Sequence, residues 1–350
     1  MNKHIFYVAA ACVALASCVK NEVRVNAPDQ EITFQTVSTK AGAEAFNTDH
    51  KFYSYAYFLK KGDTWDANHA SAKPYIDNAL IAYEHGTGEG KGFWAPATPN
   101  TYYYWPKQGS LTFFAWTDNT DTPAQTLAGC AKDKGITFTA YSAFANQNKD
   151  LLVADIAEDM DGKNNLTAHN GWQPGVPTVF RHVLSNLAFT IKTDGDYSAG
   201  ATYSLQSIKL KNINTKGDYA QGSPAATAAE NVWTDHGDVK NMPVFTSAGQ
   251  PVSDAVVNLT PSKTDFSIVL PQKFTDETPE IEIVYTITTK YTGTDFVETV
   301  TETKPLKDIY TEGWVSGKKY TLNIKLSLNE IYWDPSVDGW DDSTVIDIPL

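Results

Sequence analysis

Short runs in which apolar and polar residues alternate recur along almost the whole chain. Glu31-Ile32-Thr33-Phe34-Gln35-Thr36-Val37 puts Ile32 and Phe34 on one face and Thr33 and Gln35 on the other, the pattern of a half-buried strand. Lys51 to Leu59 alternates aromatics with smaller residues and ends at a Lys61-Gly62-Asp63 turn. Tyr75-Ile76 and Leu80 to Tyr83 read as a short hairpin, and Leu111 to Trp116 as a buried strand. Ile136 to Phe138 and Asp150 to Ala154 add two more. Beyond them come Leu187 to Ile191, Tyr203 to Leu210, Phe266 to Leu270, Ile281 to Thr289, Phe296 to Thr303 and Tyr320 to Leu328. Tyr219 to Pro243 reads as loop, and the one helical signal is a turn around Asn119 to Leu127.

Glu158 to Gly175 is rich in Asp, Asn and Gly, and reads as a long loop and a domain boundary. Short strands separated by turn signals suit two β-sandwiches better than βαβ units. The expectation is an all-β chain with domains at 18–175 and 176–350.

The start of the chain has a different pattern. Lys3 and His4 precede an apolar run from Ile5 to Leu15, too short for a permanent membrane span. Ala16 and Ser17 are small and come directly before Cys18. That is the lipobox arrangement of bacterial lipoproteins. Residues 1–17 are then a signal peptide, cleaved between Ser17 and Cys18, and the Cys18 thiol carries the lipid. The expected location is the outer membrane, exposed at the surface, with the lipid on Cys18 as the only anchor.

The chain has 350 residues, long for one domain and comfortable for two. Its net charge of −13 does not favour nucleic acid or anionic lipid surfaces. Of three cysteines, Cys12 lies in the signal and Cys18 takes the lipid, so Cys130 has no intramolecular partner and no cysteine metal cluster is available. His50, His69, His85, His169, His182 and His236 are scattered without metal-ligand spacing. Gly86 to Gly92 has three residues between the glycines and Gly after the Lys where a phosphate loop needs four and Ser or Thr, so it reads as a hairpin loop. Asp334, Asp338, Asp341 and Asp342 lack the spacing of a calcium loop and read as a solvated acidic turn. No nucleophile elbow occurs, and no cofactor, metal or catalytic residue is expected.

Several motifs in fixed order resemble one family. A lipobox precedes Val19-Lys20-Asn21-Glu22, and an aromatic strand Phe52 to Phe58 follows. Tyr104-Trp105-Pro106 precedes Leu111 to Trp116, and Asp150 to Ala154 precedes Phe180-Arg181-His182-Val183-Leu184-Ser185-Asn186-Leu187. Trp314-Val315-Ser316-Gly317-Lys318-Lys319-Tyr320 leads to Ile331-Tyr332-Trp333-Asp334-Pro335 and Trp340. Together they resemble the fimbrillins of Bacteroidetes, the subunits of type V pili, along nearly the whole mature chain. The resemblance implies two sandwiches of transthyretin-like topology and export as a lipoprotein. It also implies proteolytic removal of the first strand, here Ile32 and Phe34, which opens an apolar groove. The C-terminal strand of the next subunit fills that groove by strand addition. The implied partners are other fimbrial subunits, including anchor and tip proteins, and a receptor on a host or bacterial surface. The implied role is adhesion.

The pattern departs from the family in one place. The best-known members are cut by an arginine-specific protease, yet this chain has only Arg24, ahead of the strand, and Arg181. Lys40, within the small-residue stretch Ser38 to Ala43, is the only basic residue just after the strand. Either another protease acts at Lys40, or the strand stays and the protein is an anchor or a non-polymerising relative. The end of the chain, Thr344 to Leu350, projects Ile346, Ile348 and Leu350 to one side of an extended strand. It reads either as a donor strand or as a last strand of its own domain. A surface lipoprotein that binds glycans through exposed Trp or Tyr is the other functional class open to such a chain.

Overall fold

The computed structural model describes residues 31–36, 46–85, 92–124, 128–162, 175–222, 232–327 and 331–340. Among them are twenty strands and a single α-helical turn, α1 (Trp65–Asn68). In chain order the first strands are β1 (Phe34–Thr36), β2 (Phe52–Leu59), β3 (Lys73–His85), β4 (Gly92–Pro96) and β5 (Ser110–Thr117). Next come β6 (Ala128–Ala131), β7 (Gly135–Ser142), β8 (Leu152–Ala154), β9 (Ala157–Met160), β10 (Val176–Thr178) and β11 (Phe180–His182). The remainder are β12 (Ser185–Thr193), β13 (Ala201–Ala220), β14 (Val232–Val252), β15 (Val257–Leu259), β16 (Ile268–Val269), β17 (Glu280–Thr289), β18 (Phe296–Pro305), β19 (Lys318–Leu326) and β20 (Ile331–Gly339).

These strands form three sheets. A nine-stranded sheet has the order β10-β1-β4-β3-β2-β5-β8-β11, with β9 on β5. A five-stranded sheet runs β15-β12-β19-β20 with β16 on β12, and a six-stranded one β18-β17-β13-β7-β6 with β14 on β13. The six-stranded sheet serves both ends of the molecule. Residues Ala201 to Lys211 of β13 pair with β17, and Lys216 to Ala220 pair with β7. At one end its Leu205, Ile208 and Ile283 meet Phe189, Ile191, Leu322 and Ile324 of the five-stranded sheet. At the other, Ile136, Phe138 and Tyr219 meet Tyr53, Tyr55, Phe114 and Trp116 of the nine-stranded sheet. The architecture is all-β and sandwich-like at both ends.

β2 and β5 are apolar on both faces because both faces are covered. Tyr53, Tyr55, Phe114 and Trp116 face the six-stranded sheet. Phe52, Ala56, Leu111, Phe113 and Ala115 face a second core that also contains Ile32, Phe34, Trp94 and Val176. That second core is enclosed because the nine-stranded sheet curls back on itself. β10 pairs parallel with β1 at one end, and β11 pairs antiparallel with β8 at the other. Val179 alone separates β10 from β11, and its carbonyl accepts the Asp155 N–H at 2.9 Å. The two ends of the sheet thus meet on one continuous stretch, Val176 to His182.

Several elements differ from the sequence expectation. Val176 to His182 lies past the expected boundary at 175/176, yet its two strands pair into the first sheet. Conversely β6 and β7, from the first half, join β13. The hairpin expected at Tyr75 to Tyr83 is a single strand, with Asn78 absorbed at φ +49° where the β2–β3 register shifts. The loop expected at Tyr219 to Pro243 is largely ribbon: β14 carries Asp235 and Asp238 at φ +49° and +52° opposite a strand with repeated register shifts. Turn-forming residues here sit in irregularities of a ladder instead of ending it. The one described helical turn lies at Trp65–Asn68, where it buries Trp65 completely; the described part of the expected turn, Asn119 to Ala124, is not helical. Asp334 and Asp338, expected in an acidic turn, lie within β20.

Candidate functional site

The sequence singled out Ile32 and Phe34, and both are buried, 2% and 3% exposed. β1 is only three residues long, yet it has a neighbour on each side. Phe34, Gln35 and Thr36 pair in parallel with Val176, Pro177 and Thr178, while Phe34 pairs antiparallel with Trp94 of β4. Just upstream, the Ile32 N–H donates to the Tyr103 carbonyl at 2.8 Å, and Glu31 forms a bridge with Tyr104. The Val176 N–H closes the other side on the Thr33 carbonyl at 2.8 Å. The strand therefore fills a slot walled by β4 and Tyr103-Tyr104 on one side and by β10 on the other.

Small side chains shape the floor of the slot. The Phe34 ring borders a small cavity whose other walls include Ser54, Ala115, Ala154 and Ala157. It meets Phe52 edge-on at 5.7 Å and Phe113 at 5.8 Å. Burying the two side chains contributes roughly 3–6 kcal/mol, against a handful of backbone hydrogen bonds worth about 1 kcal/mol each. Most of the hold on β1 is therefore apolar. Backbone approach is also close: a Cβ on Gly175 would come within 2.8 Å of the Phe34 carbonyl carbon.

Downstream of β1 the chain is pinned again at Phe46. Its ring packs on Phe180 at 4.9 Å, Trp94 at 5.3 Å and Phe52 at 6.2 Å. The stretch that carries Lys40 thus runs between a short buried strand and an aromatic pin. Lys40 itself, like Ser17, Cys18, Ile346, Ile348 and Leu350, lies outside the described residues. Arg181 is described: its guanidinium makes a two-point contact with Asp155, at 2.6 and 2.7 Å, within paired β11. That engagement ties up the second of the chain's two arginines.

The remaining candidate chemistry is dispersed. His50 bonds Asn119 at 3.0 Å, His69 the Trp65 carbonyl at 3.1 Å and His236 the Pro271 carbonyl at 2.8 Å. His182 approaches the Asp150 carboxylate at 2.7 Å, a pairing the sequence gave no sign of. His169 and the His85 side chain lie outside the described residues. Among the described residues no three His, Cys, Asp or Glu side chains are grouped as metal ligands. Burial pushes the Cys130 thiol up to about 12, with Asp77 adding and the Tyr57 hydrogen bond opposing, so it stays a protonated thiol. No helix among the described residues is long and apolar enough to cross a membrane. Tyr75, Tyr102 and Tyr104 are the exposed aromatics nearest the slot, and the Tyr75 hydroxyl donates to the Tyr104 carbonyl.

A fimbrial protein from Bacteroides vulgatus superposes with a TM-score of 0.62 at 16% identity, over 89% of this chain and 99% of the other. A cell adhesion protein of Bacteroides uniformis gives 0.48 at 19%, over 89% and 98%. The fimbrial anchor protein Mfa2 from Porphyromonas gingivalis gives 0.36 at 12%, over 89% and 97%. No curated protein sequence matches this one. The first superposition shows a shared fold, and residues 39–340 match the family described as fimbrillin-like. The chain is a member of the fimbrillin-like family, a structural and not an enzymatic protein.

Proposed function

We propose that this protein is a fimbrial subunit built by strand exchange at the β1 slot. The observation that carries the reading is β1 itself: three residues of strand with Phe34 buried, Ile32 buried just upstream, and a partner on each side. Cleavage at Lys40 would separate this strand from Phe46, whose aromatic contacts hold the rest of the chain in place. The emptied slot would present two strand edges and an apolar floor. A strand from another subunit that places apolar side chains at alternate positions fits it. Ile346, Ile348 and Leu350 of the C-terminal segment have that spacing. Before assembly the chain travels as a lipoprotein, cut between Ser17 and Cys18 and held to the outer membrane by the lipid on Cys18. After assembly it lies in a surface fimbrium with other subunits, anchor and tip proteins included, and serves adhesion to a surface receptor. In this scheme 18–175 and 176–350 are the two sandwich domains, with β10 and β11 crossing back into the nine-stranded sheet and β6 and β7 crossing into the six-stranded sheet that joins them.

The test is made on cells carrying the full gene. The N-terminus of the surface-displayed protein is read by mass spectrometry, in the wild type, in Lys40→Gln, and in a chain lacking Ser343 to Leu350. The expected result is a mature N-terminus just after residue 40 and fibres in the wild type only, with folded monomer in both variants. A wild-type N-terminus at Cys18 within assembled fibres would overturn strand removal and favour an anchor or non-polymerising role. Fibres from the truncated chain would exclude the C-terminal segment as donor.

A further inference from the structure

The last described strand is fastened to the first sheet by a junction whose chemistry is unusual for this molecule. Trp340, which follows β20, lies flat on the His182 imidazole of β11, ring centroids 4.1 Å apart and planes 1° from parallel. The Nδ1 of the same imidazole lies 2.7 Å from the Asp150 carboxylate. Side-chain exposure is 11% for Asp150 and 15% for His182, so the contact is largely shielded from water. Backbone completes the joint: the Trp340 N–H donates to the Gly317 carbonyl at 3.1 Å, and the Gly317 N–H to the Leu184 carbonyl at 2.9 Å. Gly317 holds φ +69°, and a Cβ there would come within 3.1 Å of the His182 carbonyl oxygen.

We infer that Asp150, His182 and Trp340 form a proton-controlled latch that fastens the C-terminal end of β20 to the nine-stranded sheet. A protonated imidazole in this position faces a carboxylate at one edge and an aromatic π-face above it. Both attract positive charge, and low water access strengthens both. A neutral imidazole keeps the close approach and the stacking but loses the charge terms. The cation is the form the closed junction favours. The added hold is therefore present at low pH and is lost as pH rises through the histidine titration. The charged and titratable groups around the ring support that sign. Asp150 faces it from the segment before β8. Asp150 is in turn electrostatically coupled to the Tyr141 phenol of β7, which burial, then Asp150 and Asp118, push upward. Arg181, next along β11, spends its charge on Asp155. On the β20 side, among the described residues, the Trp340 indole stacks on the ring.

The inference concerns residues 331–340 and stands whether or not the slot exchanges strands. Its test is hydrogen exchange by mass spectrometry on the full chain at about pH 5 and about pH 8, corrected for intrinsic exchange, read on peptides within 331–340. Protection of these peptides is expected to be about tenfold greater at the lower pH. His182→Gln is expected to show equal protection at both. Equal protection in the wild type, or an undiminished difference in His182→Gln, overturns the latch. Should His182→Gln fail to fold, Trp340→Leu carries the test: the difference vanishes if the indole is the partner, and its persistence overturns the inference.

Discussion

Phe34 is held edge-on by Phe52 and Phe113, and its ring borders a small cavity lined by Ser54, Ala115, Ala154 and Ala157. Phe34→Ala removes a buried aromatic from a site whose walls are themselves strands and cannot collapse far. Denaturant unfolding of the full chain should show a loss of about 3–5 kcal/mol. A loss below about 1 kcal/mol, the scale of a surface change, would mean that the ring does not hold β1 in place. At this scale the sequence was informative. The alternation of Ile32 and Phe34 with Thr33 and Gln35 marked both buried positions correctly. It gave no sign of Phe46, a single aromatic in a polar stretch whose contacts with Trp94 and Phe180 are made across the sheet. Nor did it mark the Asp150–His182 pair, whose members lie on segments with no shared pattern.

As an element, β1 is bounded by a backbone contact as much as by side chains. Gly175 precedes β10, and its missing Cβ lets the Phe34 carbonyl and the Gln35 N–H approach. Gly175→Ala would place a methyl group about 3 Å or less from three backbone atoms of β1, a clash only backbone movement relieves. The expected outcome is a loosened β1 in an otherwise folded chain. Hydrogen exchange within residues 31–36 should speed up severalfold while β12 and β19 keep their protection. Unchanged exchange in 31–36 would show that the strand is not seated on Gly175. Element types were legible wherever alternation was clean, as in β12 and β19, whose burial alternates residue by residue. They were misread where turn-forming residues lie inside a ladder, as Asn78 does in β3 and Asp235 and Asp238 do in β14. A bulge and a turn use the same residue types, and only the neighbouring strand distinguishes them.

Over the whole molecule, β13 and β14 form one ribbon that enters two of the three cores. Leu205 and Ile208 lie in one, Tyr219 and Trp233 in the other. Side-chain contacts reinforce the joint. The Asn148 carboxamide accepts the Ser267 N–H at 2.8 Å and donates to the Asp265 carbonyl at 2.7 Å, while Phe144 stacks on Phe266 at 5.1 Å. Melting one core pulls strand partners from the other. Heat or denaturant should therefore unfold residues 46–340 in a single transition, with tryptophan emission and far-ultraviolet dichroism coinciding. Two separated transitions would mean that the ribbon does not couple the ends.

The amino-acid order by itself determined that this chain is built of strands, which residues of those strands turn inward, and that its first strand carries two apolar anchors. Those are local properties: alternation along an extended backbone decides the face of each side chain without reference to anything distant. It also fixed the order of motifs that the fimbrillin-like family shares. Only the tertiary structure decided which strands are neighbours. Val176 to His182 closes the first sheet on itself, β6 and β7 leave the first half to join β13, and a three-residue strand gains a partner on each side. Pairing of that kind depends on contacts between residues far apart in the chain. Its free energy comes from burial shared among several segments, so no single segment carries the signal for it.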